Sequence, residues 1–303
     1  MSVMPKKKPH HVVIFLLFRI LSFCIFILPL SLGLKIGQCL GKLIFYFLKK
    51  ERKKAISNLD IAFGDSKSQE EKEDIAKEVF ENLGKNLVEV ISLSKFNSRN
   101  IDRYIACKGL ENIEQFLKQG KGGIALSAHF GNWELLAHYF GIKGYSVNVI
   151  ARRVRMDRLE GVLRKIRKRN NVNVIYRDTS SRSLFSLIKK NQFIAMMPDQ
   201  DMDGVSGVFV DFFGKKAYTP NGVAVLNYLT GIPVIPCFIV RKKYGHEIRV
   251  EKPLELTKTQ DKDRDIVENT QRYTKAIEDY VREFPSQWVW FHNRWKTRPG
   301  SCN

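Results

Sequence analysis

The chain has 303 residues, 44% hydrophobic and 27% charged, which is a globular composition with length for one large domain or a core with appendages. Its 51 Lys and Arg against 31 Asp and Glu give a formal net charge of +20, so its natural partners are anionic. The five cysteines (Cys24, Cys39, Cys107, Cys237, Cys302) are scattered and odd in number with no CxxC pair, which suggests neither a disulfide framework nor a cysteine-rich zinc site and fits a reducing compartment.

The positive charge is concentrated at the start. Residues 1–54 contain eleven Lys or Arg and one acid, Glu51. They bracket an apolar stretch over 12–34, interrupted by Arg19 and softened by Pro29 and Gly33. About 20 apolar residues are needed to cross a bilayer, and a long side chain such as Arg19 near one end can snorkel to the headgroups. A cleaved signal peptide lacks its small-x-small site, because Lys35 follows instead, and a lipoprotein signal fails because Gln38 precedes Cys39. A buried soluble helix is the remaining alternative. The flanks Lys6, Lys7, Lys8 and Lys49, Lys50, Glu51, Arg52, Lys53, Lys54 favour contact with anionic lipid. Residues 33–48, dotted with Lys35 and Lys42, suit the interface plane. The reading is a membrane anchor over 1–50, with a membrane-crossing helix.

Residues 51–110 read as a helical segment packed on the core. Ser68 followed by Glu70, Glu71 and Glu73 marks a helix start, and Ile75, Val79, Leu83, Leu87 and Val90 follow at helical spacing. From 111 to 303 the pattern alternates: strands are predicted at 123–128, 146–151, 172–176, 193–197 and 234–240. Helices are predicted between them at 134–140, 156–169, 181–190 and 220–229. This predicts an α/β core with a mostly parallel mixed sheet flanked by helices. In such sheets, sites form at the carboxyl ends of strands.

One such end carries IALSAHFGNWE, residues 124–134. On a continuous helix, residues five apart point about 140° away from each other. A cooperating His129–Glu134 pair therefore requires His129 on a strand-to-helix turn, with Gly131 and Asn132 making the turn. The carboxylate would then hold one ring nitrogen and leave the other to take a proton from a hydroxyl. The plainer alternative is a structural histidine and a glutamate favouring a helix N-terminus. The next predicted helix, with Arg152, Arg153 and Arg155 before it, carries nine positive and two negative residues. A dense cluster of one sign points to an acidic protein, phosphate or membrane, and otherwise to nucleic acid. The run MMPDQDMDG resembles half a calcium loop, but Val210 stands where the twelfth-position Glu is needed, so calcium binding is rejected.

Five blocks in order resemble the late acyltransferases of lipid A biosynthesis, the lauroyl/myristoyl transferase family: R-K-K-A-x-x-N-L at 52–59, SAHFGNWE at 127–134 with its H-x4-E pair, PDQD at 198–201, V-F-V-D-F-F-G-K-K-A-x-T at 208–219, and P-S-Q-W-V-W-F-H-N-R-W-K-x-R-P at 285–299. That resemblance implies transfer of a fatty acyl chain from an acyl-carrier protein thioester to a hydroxyl of a lipid A precursor. It implies a bacterial inner-membrane location with the catalytic domain facing the cytoplasm, and needs no metal or other cofactor and no nucleic acid partner. His129 is the implied general base, with Glu134 fixing its tautomer. The family's site arginine matches Arg169, with Arg167 as the alternative, and its aspartate matches Asp199 or Asp201. Arg152, Arg153, Arg164 and Arg167, with Asn132 and Trp133, are the expected substrate contacts, and Trp288 is expected to be mainly structural.

Three other readings stay open. A zinc hydrolase would use His129, Glu134 and His138, although the HExxH order is absent. A membrane-tethered binding module for nucleic acid or anionic lipid would use the basic segment and aromatic tail. Acyl transfer to another glycolipid, such as a mannoside, shares the H-x4-E pair.

Overall fold

The computed structural model describes residues 9–153, 157–176 and 181–300. Lys6, Lys7, Lys8, Arg155 and Met156 lie outside the described residues. Four helices come first: α1 (Pro9–Ile27), α2 (Leu30–Phe47), α3 (Lys49–Phe63) and α4 (Gln69–Ile91). The single crossing helix expected over 12–34 is not borne out. Proline lacks the N–H that a continuing helix needs, and Pro29 sits at φ −52°, ψ 140°, ending one helix and opening the next. Among the described residues, no helix is long and apolar enough to cross a membrane.

α2 instead lies along α4. Gly33, Gly37 and Gly41 recur every four residues and form its buried face. A Cβ on Gly37 would stand 2.6 Å from the carbonyl oxygen of Gly84 on α4, so the two backbones touch where any side chain would part them. The opposite face stays open: Leu32, Leu43, Ile44, Tyr46 and Phe47 are exposed, Phe47 to 75%. α4 starts at the predicted signal. Glu71 N donates to Ser68 Oγ at 3.2 Å, and Ser68 N donates back to Glu71 Oε2 at 2.7 Å. Val79 then turns into the main core with Ile75 and Leu83 beside it, whereas Leu87 is exposed.

The remaining strands are β1 (Ile105–Lys108), β2 (Gly123–Leu126), β3 (Val147–Ala151), β4 (Val172–Tyr176), β5 (Phe193–Met196), β6 (Gly207–Phe212), β7 (Lys215–Pro220), β8 (Val234–Arg241) and β9 (His246–Val250). Seven of them form one sheet in the order β1-β9-β8-β2-β5-β3-β4, while β6 and β7 form a separate hairpin. Within the sheet only β8 and β9 run antiparallel. The predicted mixed, mostly parallel sheet is therefore present.

Helices α5 (Glu111–Lys118), α6 (Trp133–Ile142), α7 (Asp157–Arg169), α8 (Ser181–Lys189), α9 (Gly222–Thr230) and α10 (Lys262–Glu283) complete the chain. Both sheet faces are covered. On one, Ile124, Ile194 and Phe238 pack with α9, α10 and the tryptophans of the tail. On the other, Ile235, Cys237 and Ile239 pack with Ile113 of α5 and Leu135 of α6. β8 is buried along nearly its whole length, which is why it reads as an unbroken apolar run.

Candidate active site

Strand register builds the centre. β2 and β5 are parallel neighbours with Leu126 opposite Met196, and Ser127 N donates to Met196 O at 2.9 Å. Three residues past each of those positions stand His129 and Asp199. The equal offsets bring them together: His129 Nδ1 lies 2.9 Å from Asp199 Oδ1, and the His129 backbone N–H donates to Oδ2 at 2.9 Å. Trp288 Nε1 donates to the same Oδ2 at 2.8 Å. The Asp199 side chain is wholly shielded, while that of His129 keeps 24% of its surface exposed. An ionised Asp199 keeps the proton on Nδ1 and leaves Nε2 as the free ring nitrogen. Burial opposes charge on His129, but the Asp199 carboxylate, its hydrogen bond and the more distant Glu134 outweigh that and raise the imidazole pKa. Burial likewise opposes the Asp199 charge, and His129 with the hydrogen bonds from His129 and Trp288 holds its carboxyl below the usual value.

The turn after His129 is pinned from several sides. Gly131 adopts φ +57°, and a Cβ there would collide with the carbonyl of Ile239. Its N–H donates to Gln287 O at 2.8 Å and its carbonyl accepts from Asn86 Nδ2 at 2.6 Å. Asn132 caps α6 by accepting from Leu135 N, and its amide donates to Glu89 Oε2 at 2.7 Å. Asn132, expected to touch substrate, is therefore a buried residue of the turn. Tyr104, His246 and Arg241 also donate to the fully buried Glu89, at 2.5–2.8 Å. Burial opposes the Glu89 charge, yet His246 and Arg241 hold its carboxyl well below the usual carboxylate range.

Glu134 does not hold His129 as expected. Its carboxylate forms a two-pronged pair with Arg167, through Nε to Oε2 at 3.1 Å and Nη2 to Oε1. Helix geometry explains the difference: Glu134 sits in the first turn of α6 and faces α7, whereas the residue facing His129 comes from the end of β5. Arg169, the first match for the site arginine, is also displaced. Two residues along a helix is a rotation of about 200°, and Arg169 lines a groove with Ser94 and Asn97 instead. The arginine beside Glu134 is Arg167.

Other predicted residues fall as follows. Trp133 packs edge-on against the His129 ring, with centroids 5.3 Å apart. Arg152 lines the cleft beside His129. Arg153 stacks on Tyr176 at 3.9 Å, and Arg164 is exposed. Asp201 accepts from the backbone N–H and hydroxyl of Thr297, at 2.7 and 3.0 Å, and ties down the tail rather than touching His129. For the zinc reading, Glu134 is spent on Arg167, and His138 donates Nδ1 to the Glu134 carbonyl at 2.7 Å. No group of three His, Cys, Asp or Glu able to hold a metal ion is found among the described residues.

Two spaces adjoin near His129. A wide cleft is lined by His129, Asp201, His292 and Lys54. A second, narrow and largely apolar cavity runs beneath α6 past Ala125, Ala137, Val149 and Phe140 to Ile113 and Leu117. Trp133, Glu134, Ile150, Ala151, Arg167 and Met197 line both. Both ends of β3 line the apolar cavity, so at ~3.3 Å per residue it extends about 13 Å along the sheet.

Sequence reasoning missed several contributors. Trp288 touches Asp199 directly, beyond its packing role. Asn58 donates to the carbonyls of Trp290 and His292, at 2.5 and 2.6 Å, which gives the N-L of the first block its purpose. Buried Arg294 donates to Tyr218 O and Thr219 Oγ1, joining the tail to the β6–β7 hairpin. The only advance signal was that these residues stood inside the quoted blocks.

A family model described as bacterial lipid A biosynthesis acyltransferase matches residues 4–297. The chain is 28% identical over 276 residues to a lipid A biosynthesis lauroyltransferase of Escherichia coli strain K12, covering 90% of this chain and 88% of that one. It is also 28% identical over 275 residues to a lipid A biosynthesis palmitoleoyltransferase of the same strain, covering 90% and 87%. Similarity extends to a phosphatidylinositol mannoside acyltransferase of Mycobacterium tuberculosis, 24% identical over 223 residues, or 71% of this chain and 68% of that one. With its model spanning nearly the whole chain, the family is established: this protein belongs to the bacterial lipid A biosynthesis acyltransferases.

Proposed function

We propose that this acyltransferase moves a fatty acyl chain from an acyl-carrier protein thioester to a hydroxyl of a lipid A precursor. The observation that carries the reading is a histidine with one nitrogen committed to a buried aspartate, set on a wide cleft that shares part of its lining with an apolar cavity. The cavity takes the acyl chain, and the thioester lies at the shared mouth beside Arg167. His129 Nε2 removes the hydroxyl proton of the acceptor as its oxygen attacks the thioester carbon. Asp199 fixes the tautomer and stabilises the imidazolium that forms, the role first assigned to Glu134. Glu134 holds the Arg167 guanidinium, whose remaining N–H groups stabilise the oxyanion. Collapse breaks the C–S bond, forms the ester, and His129 returns the proton to the departing thiolate.

The acceptor is an amphiphile, and the outer faces of α1 and α2 suit contact with its membrane. Ile20, Phe23 and Ile27 of α1 and Leu43, Ile44 and Phe47 of α2 are exposed, with Lys35 and Lys42 exposed among them. An exposed apolar face with cations is the composition of an interfacial segment. This reading takes the first helices as a surface anchor on a bacterial inner membrane, with the site on the cytoplasmic side where acyl-carrier protein is found. The mannoside-acylating relative favours a second acceptor class, another glycolipid.

The deciding experiment pairs the purified chain with a tetraacylated lipid A precursor and a ladder of acyl-carrier protein donors, read by mass spectrometry. One added acyl mass is expected, lost in His129→Ala with the thermal unfolding midpoint retained. An acylated mannoside with no lipid A product selects the second acceptor. A folded H129A variant transferring at the wild-type rate overturns the mechanism.

A further inference from the structure

We propose that Lys54 and Arg152 form a phosphoryl-binding site on the cleft wall, which holds a phosphate of one of the two reactants during transfer. The inference rests on the acyl-transfer reading and adds a ligand group to it. Lys54 lies on α3, and its side chain is only 27% exposed. The stem of a lysine can be covered in this way while its ammonium stays at the cleft surface, free to meet an anion. Its ion pair with Glu51 on the same helix is long, at 3.9 Å, beyond hydrogen-bond range, and leaves its N–H groups open to a second anion. Its direction is set one helical turn later, where Asn58 clamps the carbonyls of Trp290 and His292, so the same face of α3 meets the cleft.

Arg152 follows the last residue of β3, whose Ile150 and Ala151 line the same cleft. Its exposed side chain acts on Asp203 through charge alone. The acids of the cleft are committed elsewhere: Glu134 to Arg167, Asp201 to Thr297, Asp203 to Lys296. Two cations of different shape therefore line a wide cleft beside the reacting imidazole, and the one carboxylate paired with either is Glu51, at a long 3.9 Å from Lys54 among the described residues. A phosphoryl group brings a charge of about −1 as a diester or about −1.5 to −2 as a monoester, with several acceptor oxygens, which a fork-shaped guanidinium and a point-like ammonium bind together. That group belongs either to the acceptor glycolipid or to the phosphopantetheine arm of the donor.

The test uses the full chain with two substitutions on each side of the reaction. Acceptors are the phosphorylated tetraacyl disaccharide and the same molecule after phosphatase treatment. Donors are acyl-4′-phosphopantetheine and acyl-pantetheine. In wild type, removing the phosphate from the molecule that the site holds raises its KM about tenfold, the scale of one charge-assisted contact. In Lys54→Ala and Arg152→Ala that penalty shrinks toward onefold, because the phosphorylated form has already lost its contact. Lys54→Arg and Arg152→Lys retain part of the penalty, and Lys262→Ala, on the exposed start of α10, retains all of it. The arm in which the penalty disappears identifies the source. A wild-type penalty that survives in both alanine variants, or no wild-type penalty in either arm, overturns the site while leaving acyl transfer standing. Absence of any acyl product with wild type overturns acyl transfer itself, and the site with it.

Discussion

Asp199→Asn tests the core of the chemistry with the least disturbance of shape. Asp199 receives three hydrogen bonds: Oδ2 accepts from His129 N and Trp288 Nε1, and Oδ1 faces His129 Nδ1. An asparagine can turn its single carbonyl oxygen to the first two donors and keep them. Its NH2 group then confronts Nδ1, which must become an acceptor, so the imidazole proton moves to Nε2. That tautomer has no lone pair in the cleft and cannot take the hydroxyl proton. The corresponding aspartate-to-asparagine change in a serine protease triad lowers kcat about 10⁴-fold, and a loss of roughly 10³- to 10⁴-fold is expected here. The pH profile gives a second readout. The working base is neutral His129, and its pKa is raised above the usual value by Asp199. Wild-type activity should therefore fall as pH drops through a value above ~6.5. In the variant the countercharge is gone and burial remains, so the acid limb of the residual rate moves to lower pH. Acyl transfer measured from pH 5 to 9 by product mass checks both. A kcat within tenfold of wild type with an unmoved acid limb would refute the reasoning.

Three further outcomes follow from the same geometry. Arg167→Ala leaves the half-buried Glu134 without its partner, and kcat should drop about 10²-fold, the scale of one lost oxyanion donor. A rise confined to KM in steady-state kinetics contradicts that role. Glu89→Gln leaves Arg241 buried without its countercharge, and breaking such a pair costs about 3–5 kcal/mol. The denaturant midpoint should fall accordingly, and an unchanged midpoint rejects the network as a support of the Gly131–Asn132 turn. Ala137→Phe fills the middle of the apolar cavity. At ~0.8 kcal/mol per buried CH2, the donor ladder should shift toward shorter chains by a visible step, and an active variant with the wild-type profile contradicts the cavity as the acyl site.

The sheet core was legible because parallel strands buried on both faces read as short apolar runs: β2, β3, β4, β5 and β8 all fall within a residue or two of their predicted ranges. The unread elements share a different physics. β1 is only four residues long and β9 carries polar residues at alternate positions near the sheet edge, so the sequences IACK and HEIRV do not stand out as strands. α10 is strongly charged over most of its surface, and its buried Ile266, Tyr273, Ile277 and Val281 are diluted among them. The first helices were misjudged because hydropathy alone does not distinguish a face against lipid from a face against protein. Gly33, Gly37 and Gly41, which weaken a simple apolar count, are the residues that press α2 onto α4.

The same limit explains the catalytic pair. Spacing within one segment identified His129 and placed it on a turn, but the partner of its Nδ1 lies 70 residues away and is chosen by register between β2 and β5. Local arithmetic supplied Glu134 because it was the nearest acid. Its actual partner, Arg167, stood only as the alternative to Arg169 for a related reason: in a run dense with cations only helical phase decides which faces inward, and a slip of two residues reverses the answer. What the letters did contain was the grouping. SAHFGNWE, PDQD and the tryptophan-rich tail meet at one point, with Asp199 bonded to His129 and Trp288, and the chain of the tail zipped to the catalytic turn through Gln287 O and Val289 N. A block such as R-K-K-A-x-x-N-L, far away in sequence, belongs with them for the same reason: its Asn58 fastens the tail that closes over the histidine.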